Sequence, residues 1–197
     1  MTADTTSAPL SKRLKAKTSD THERLDQRIM AADPFKDRAR YGRFLNVQQQ
    51  FHRDVDALYH REDLAGLIPD LAGRRRLDAV LQDLGDLGLR PPEAVAGPRF
   101  APGDGEGLAT AIGWLYVVEG SNLGAAFLFK AAARLGLDET FGARHLSGHP
   151  EGRARHWRTF TAAIDAAALS VEDEARAAAA ARAAFERVHG LVDVHLV

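Results

Sequence analysis

Cysteine is absent from the 197-residue chain, which excludes disulfides, thiolate nucleophiles and cysteine-ligated metals in one step. An excess of either charge is absent too. With 26 basic and 27 acidic residues and a net charge of −1, there is no global field to draw the protein to nucleic acid or anionic lipid, so charged partners must be met locally. The opening MTADTTSAPL lacks the basic and apolar regions of a secretory signal. Residues 1–9 are therefore expected to be a disordered lead-in to a single domain over 10–197, in a monomeric cytoplasmic protein. A bilayer span is also missing. The longest weakly charged stretch, residues 107–129, has Glu119 as its only charge, but Glu-Gly-Ser-Asn at its centre suits a membrane poorly, so a buried helix is expected. No useful β-alternation, internal repeat or nucleotide-binding P-loop occurs, and low complexity is confined to the alanine run at 177–181.

What is present is helical spacing. Leu14, Thr18, His22, Leu25 and Ile29 recur at steps of three and four, predicting a helix over Leu10–Met30 that carries a histidine on its inward stripe. Asp33-Pro34 offers an N-cap and a first-turn proline for a second helix reaching about His60, with Tyr41, Phe44, Leu45, Gln48, Phe51, His52, Val55 and Leu58 inward. A shorter helix is expected around Leu77, Val80, Leu81 and Leu84. The Pro/Gly-rich stretch from Gly88 to Gly107 then breaks the pattern. Helical signal returns over Leu108–Leu135, stops at Gly142–Gly152, resumes over Ala154–Leu169, and restarts behind Ser170 toward His189. The fold class is all-α, a single-domain packed helical bundle.

Gly113, Gly120 and Gly124 interrupt an otherwise apolar helix, each at a cost of about 1 kcal/mol relative to alanine. Two compensations are open: close helix–helix packing, or a flat ligand lying on the backbone where no Cβ intervenes. Ser121 and Asn122 would add polar groups at the same place. His22 has two readings as well, a satisfied core residue or a metal ligand whose ring Asp26, one turn on, would orient. Gln48 and His52 are one turn apart and suit a buried polar pair or a water network. Lys12, Lys15 and Lys17 form a solvated face or meet the carboxylates of an anionic ligand. Other metal centres fit less well. Only one Glu-x-x-His occurs, Glu186 to His189, against the two that a di-iron bundle needs, and His145 and His149 share a turn-rich loop without a zinc motif.

Two segments, Gly-Trp-Leu-Tyr-x-x-Glu-Gly-Ser-Asn-Leu-Gly-Ala-Ala-Phe-Leu-Phe-Lys over 113–130 and Gly-Ala-Arg-His-Leu-x-x-His-Pro-x-Gly-Arg-x-x-His-Trp over 142–157, resemble the bacterial haem oxygenases. The likeness extends from about Leu10 to Phe185 and includes Lys-Arg-Leu-Lys and Thr-x-His-x-x-x-Asp around His22. It implies a bundle with haem b held between a proximal helix bearing the iron ligand His22, with Asp26 behind it, and a distal helix kinked near Gly120 and Gly124. Lys15 and Tyr116 fall where the family holds haem propionates, and Gln48, His52, Ser121, Asn122, His145 and Trp157 at positions of the distal or neighbouring hydrogen-bond network. The implied activity is dioxygen-dependent cleavage of haem at a meso carbon, α favoured, to biliverdin, carbon monoxide and ferrous iron. Haem would then be both cofactor and substrate. With no flavin or nicotinamide motif, an external donor, a ferredoxin or flavin reductase, is implied. The chain stops at Asp-Val-His-Leu-Val without the membrane anchor of vertebrate members, so no membrane partner is expected. A haem carrier or sensor would also need His22, but has no use for glycines against the ligand beside a polar network. A thiamin-hydrolysing enzyme of similar architecture would need the cysteine this chain lacks.

Overall fold

A computed structural model describes residues 8–93 and 96–197. Most of the expected lead-in, residues 1–7, lies outside the described residues. Among those described there is no strand, only one isolated bridge between Asp138 and Gly142. The helices are α1 (Leu10–Ala32), α2 (Arg38–Val55), α3 (Glu62–Leu67), α4 (Leu77–Asp86), α5 (Leu108–Ala133), α6 (Arg153–Asp165) and α7 (Val171–His195). Short 3₁₀ turns occupy Asp56–His60, Ala72–Arg74 and Arg144–Leu146.

The boundaries follow from local chemistry and correct several expectations. Asp33 adopts a left-handed conformation with φ 46° and donates its N–H to the Met30 carbonyl, so it closes α1 instead of opening α2. The N-cap of α2 is Asp37, whose carboxylate accepts the Arg40 N–H at 2.8 Å. This helix ends at Val55, and the 3₁₀ turn carries the chain on to His60. Ser170 caps α7 as its spacing suggests, accepting the Asp173 N–H at 3.1 Å, but α7 continues to His195 and α6 stops at Asp165.

Helix α7 is the hub, packing against α5, α1 and α2. Its alanine run makes a seam of small buried residues, Ala177, Ala178, Ala180, Ala181 and Ala184. Gly113 of α5 sits on that seam. A Cβ there would lie 2.8 Å from the Ala180 methyl, 2.9 Å from the Ala181 nitrogen and inside van der Waals contact of the Ala177 carbonyl oxygen. Packing therefore accounts for Gly113. Helix α1 runs parallel to α7 and is tied to it by ion pairs Arg13–Glu174 and Arg28–Asp193, the latter at 2.7 Å. Its contact line is Leu10, Leu14, Thr18, Thr21 and Leu25.

The apolar helix α5 divides in two. Its first half is buried from Ala111 to Glu119, whereas between Gly120 and Lys130 only Ala125 is buried. The expectation of a buried helix thus holds for the first half alone. Leu123 is 40% and Phe127 61% exposed, an open apolar face that marks a ligand or partner surface. Where burial ends, Glu119 meets Arg74 at 2.8 Å, with both side chains 1% exposed. Arg74 also donates to the Pro69 carbonyl at 3.0 Å, so α5 is anchored to the Ala72–Arg74 turn.

Gly113→Ala is expected to destabilise the ligand-free protein by about 1–3 kcal/mol through overpacking, outweighing alanine's better helix propensity of about 1 kcal/mol. At Gly124 an added Cβ meets nothing within 4 Å, so Gly124→Ala should be neutral or stabilising. Urea unfolding of the two variants measures the contrast, and equal shifts would remove the packing role from Gly113.

Candidate functional site

His22 lies on α1, but not on its buried stripe. Thr21 takes the inward place, and the His22 side chain is 58% exposed. Its ring meets Phe185 of α7 edge-on, with centroids 5.5 Å apart and planes at 83°. Asp26 Oδ2 is 3.5 Å from Nδ1, which leaves Nε2 as the nitrogen available to a ligand. Lys15, exposed and two turns earlier, shares that face of α1.

The exposed half of α5 presents Gly120 and Gly124. A Cβ on Gly120 would find only the Trp157 ring, at 3.7 Å, and one on Gly124 would find open space. Ser121 is exposed, and its hydroxyl donates to the Val118 carbonyl at 2.7 Å, a back-bond of the kind that bends helices. Tyr116 is buried against Trp157 with ring centroids 5.6 Å apart, and burial raises its phenol pKa. A planar iron macrocycle fits these residues: a free imidazole nitrogen on α1, and on α5 two glycines, one bordered only by the Trp157 ring and the other by open space, beside exposed Leu123 and Phe127.

The polar residues make few direct hydrogen bonds to one another. Gln48 is half-buried and makes no hydrogen bond to His52, so the proposed pair does not form directly. His52 is buried with Nδ1 unpartnered, and burial, reinforced by His145 and Arg76, depresses its pKa to about 3. His145 is buried and held by Asp83, which lies 2.7 Å from its ring Nδ1 and accepts its backbone N–H at 3.0 Å. Asp83 also accepts the Arg144 N–H at 2.9 Å, fixing this loop on α4. Asn122 lies on α5. Asn122 accepts from Arg153 at 2.9 Å through its backbone carbonyl, while its side-chain amide nitrogen is buried without a partner.

Sequence reasoning missed the cluster around Glu119. A cavity of about 10 Å³, room for one water-sized molecule, is bordered by Arg76, Glu119, Asn122, His149, His156 and Trp157. Arg76 Nε, Glu119 Oε1, Asn122 Nδ2 and His156 Nε2 are all buried without hydrogen-bond partners. Burial raises the Glu119 carboxyl pKa against the opposing pull of Arg74. Burial and Arg74 lower His156 to about 4. The available signal was Glu119 itself, the sole charge in a long apolar stretch.

The family model described as Heme oxygenase matches residues 8–193. Heme oxygenase PigA of Pseudomonas aeruginosa is 46% identical over 183 residues, spanning 93% of this chain and 91% of that protein. The fold superposes with a TM-score of 0.90 on a crystal structure of the NO- and CO-bound heme oxygenase from Neisseria meningitidis. The two are 42% identical, with 96% of this chain and 93% of that one covered.

Because the folded His52 pKa lies below the unfolded value of about 6.5, the unfolded state binds more protons on acidification. Its contribution to stability is full above pH 6.5 and is lost as pH falls toward about 3, with a limiting slope of ~1.4 kcal/mol per unit. His52→Gln should flatten the fall in stability between pH 6.5 and 4, as read by urea unfolding. A slope identical to wild type would assign the acid sensitivity elsewhere.

Proposed function

The chain belongs to the heme oxygenase family and is a haem-degrading enzyme, and from that premise we propose that it opens haem b at the α meso carbon to biliverdin, carbon monoxide and ferrous iron. Dioxygen is the co-substrate, and a separate ferredoxin or flavin reductase supplies electrons, since the sequence has no flavin or nicotinamide motif. The observation that carries this reading is the combination of an exposed imidazole, backed by a carboxylate on α1, with a side-chain-free face on α5.

In this proposal His22 Nε2 would hold the iron, and Asp26 at Nδ1 orients the ring. Gly120 and Gly124 let the ring lie directly against the backbone. Haem, when bound, would supply both the iron and the carbon that react with dioxygen. Lys15 and Tyr116, as propionate anchors, set how the haem is turned in its plane. Ser121, Asn122 and Trp157 line or border the exposed segment of α5, while Gln48, His52 and His145 extend the polar network deeper. Their task is to hold water and move protons without a strong acid at the reacting face. His52, with its depressed pKa, serves as a neutral imidazole near pH 7. A monomeric, cytoplasmic enzyme is part of the same proposal.

The test is to add haem, dioxygen and a reductase system, follow the Soret band and separate the bilins by chromatography. Loss of the Soret band with α-biliverdin is expected; a stable oxygenated complex would mark a carrier instead. His22→Ala should lower turnover at least about tenfold, with free imidazole partly restoring the spectrum, and full activity without imidazole would reject the axial assignment. Asp26→Ala should weaken haem binding or turnover by about 10-fold, the usual scale for a group behind a ligating histidine. Lys15→Ala should change the isomer ratio more than the rate.

A further inference from the structure

His149 does not join His145. It stacks on His156 of α6 instead, with ring centroids 4.3 Å apart and planes within 9°. Asp70 completes the group: its Oδ2 is 3.9 Å from His149 Nε2, and ligand-capable atoms of all three residues lie within 4.8 Å of one another. The three belong to different parts of the chain, the turn before Ala72–Arg74, the loop after Arg144–Leu146, and α6. Asp70 has φ 53°, and its carboxylate lies over Gly73, where a Cβ would come within 2.7 Å of the carboxylate carbon. Glycine at 73 therefore makes the room this carboxylate occupies.

His156 is 8% exposed, and its Nε2 has no partner in the structure. On the other side of the ring, Nδ1 faces the Arg74–Glu119 pair, with Arg74 Nη1 at 3.5 Å and Glu119 Oε2 at 3.9 Å, so a metal on Nε2 requires Nδ1 to exchange the arginine for the carboxylate behind it. Two imidazoles and one carboxylate, with the remaining positions open, form a donor set suited to ferrous iron and its neighbours in the first transition row. Metal–nitrogen distances of about 2.1 Å require the donor atoms to close up by roughly 1 Å. Exposed Asp70 and half-buried His149 have the freedom to do so, although His149 must give up the Glu151 N–H that its Nδ1 accepts at 3.2 Å. Arg76, Arg153 and the Glu119-paired Arg74 border the same place. Their positive charge lowers affinity for a dication, which suits transit and not storage.

We propose that Asp70, His149 and His156 form a binding site for a divalent transition metal, and that its natural ion is the ferrous iron the reaction sets free. Only the identity of the ion rests on the function proposed above. The site lies next to the exposed segment of α5. His156 adjoins Trp157, whose ring borders Gly120 on one side and the cavity with Glu119 and Asn122 on the other. Trp157 thus stands between the glycine segment and the cluster, and from exposed Asp70 the ion would enter solvent.

Titration of the haem-free, full-length protein with Co²⁺ under anaerobic conditions tests the site without any haem chemistry. One equivalent should bind with a ligand-field spectrum, and His149→Ala and Asp70→Asn should each weaken binding at least tenfold. His22→Ala should leave it unchanged. No saturable binding, or binding indifferent to His149→Ala, would overturn the site. The ion's identity is then read in turnover with haem, by comparing biliverdin formation with arrival of Fe²⁺ at an external chelator. Asp70→Asn should form biliverdin at the wild-type rate but deliver iron to the chelator several-fold sooner. Unchanged delivery would overturn the iron assignment while leaving the Co²⁺ site in place. A wild-type protein that yields no biliverdin would instead reject the proposed function, and the ion's identity with it.

Discussion

The close approach of α5 to α7 at Gly113 is the constraint on which the remaining architecture depends. Helix axes come near enough for backbone contact only where side chains are reduced to hydrogen or methyl, and the alanines of α7 meet the glycine of α5 on those terms. With its first half fixed there, α5 enters the core as far as Glu119 and then leaves it. The exposed remainder includes a glycine face and a 61% exposed phenylalanine, an apolar surface of the kind that a ligand or partner covers. Since α7 packs on α1 as well, the same hub carries the helix that bears His22.

Polar chemistry is concentrated behind this face. Buried ions are costly unless paired, and Arg74 and Glu119 satisfy that requirement mutually at 2.8 Å. His156 beside them and His52 elsewhere in the interior resist protonation because burial, with neighbouring arginine or histidine, disfavours a further charge. The interior is therefore rich in hydrogen-bonding capacity and poor in strong acid near neutrality. That balance suits a site in which a proton must be supplied in a measured way.

Much of the helical layout was legible from residue spacing, because steps of three and four are a direct consequence of 3.6 residues per turn. The same arithmetic could not separate Thr21 from His22. Both continue the stripe from Thr18 to Leu25, and only the direction from which α6 and α7 approach α1 decides between them. Asp33 and Asp37 are equally able to cap, and it took the left-handed backbone at Asp33 to show which helix each serves. Gly113, Gly120 and Gly124 are alike as letters, yet the first is a close packing contact, the second faces an aromatic ring and the third borders open space. The proposed haem-binding positions rest on family resemblance, which carries information that periodicity lacks. The association of Asp70 with His149 and His156 was invisible, since it is created by tertiary folding between distant segments.

The Arg74–Glu119 pair also works as a datum. Arg74 is held at once by the Glu119 carboxylate and the Pro69 carbonyl, so α5 cannot slide along its own axis without breaking a desolvated charge contact. Residue 120 begins one step later. The place along α5 where the glycine segment begins is thus gauged from a short turn at residues 72–74. Changes in that turn would be felt as altered seating of whatever lies on the glycines, by residues that never touch it.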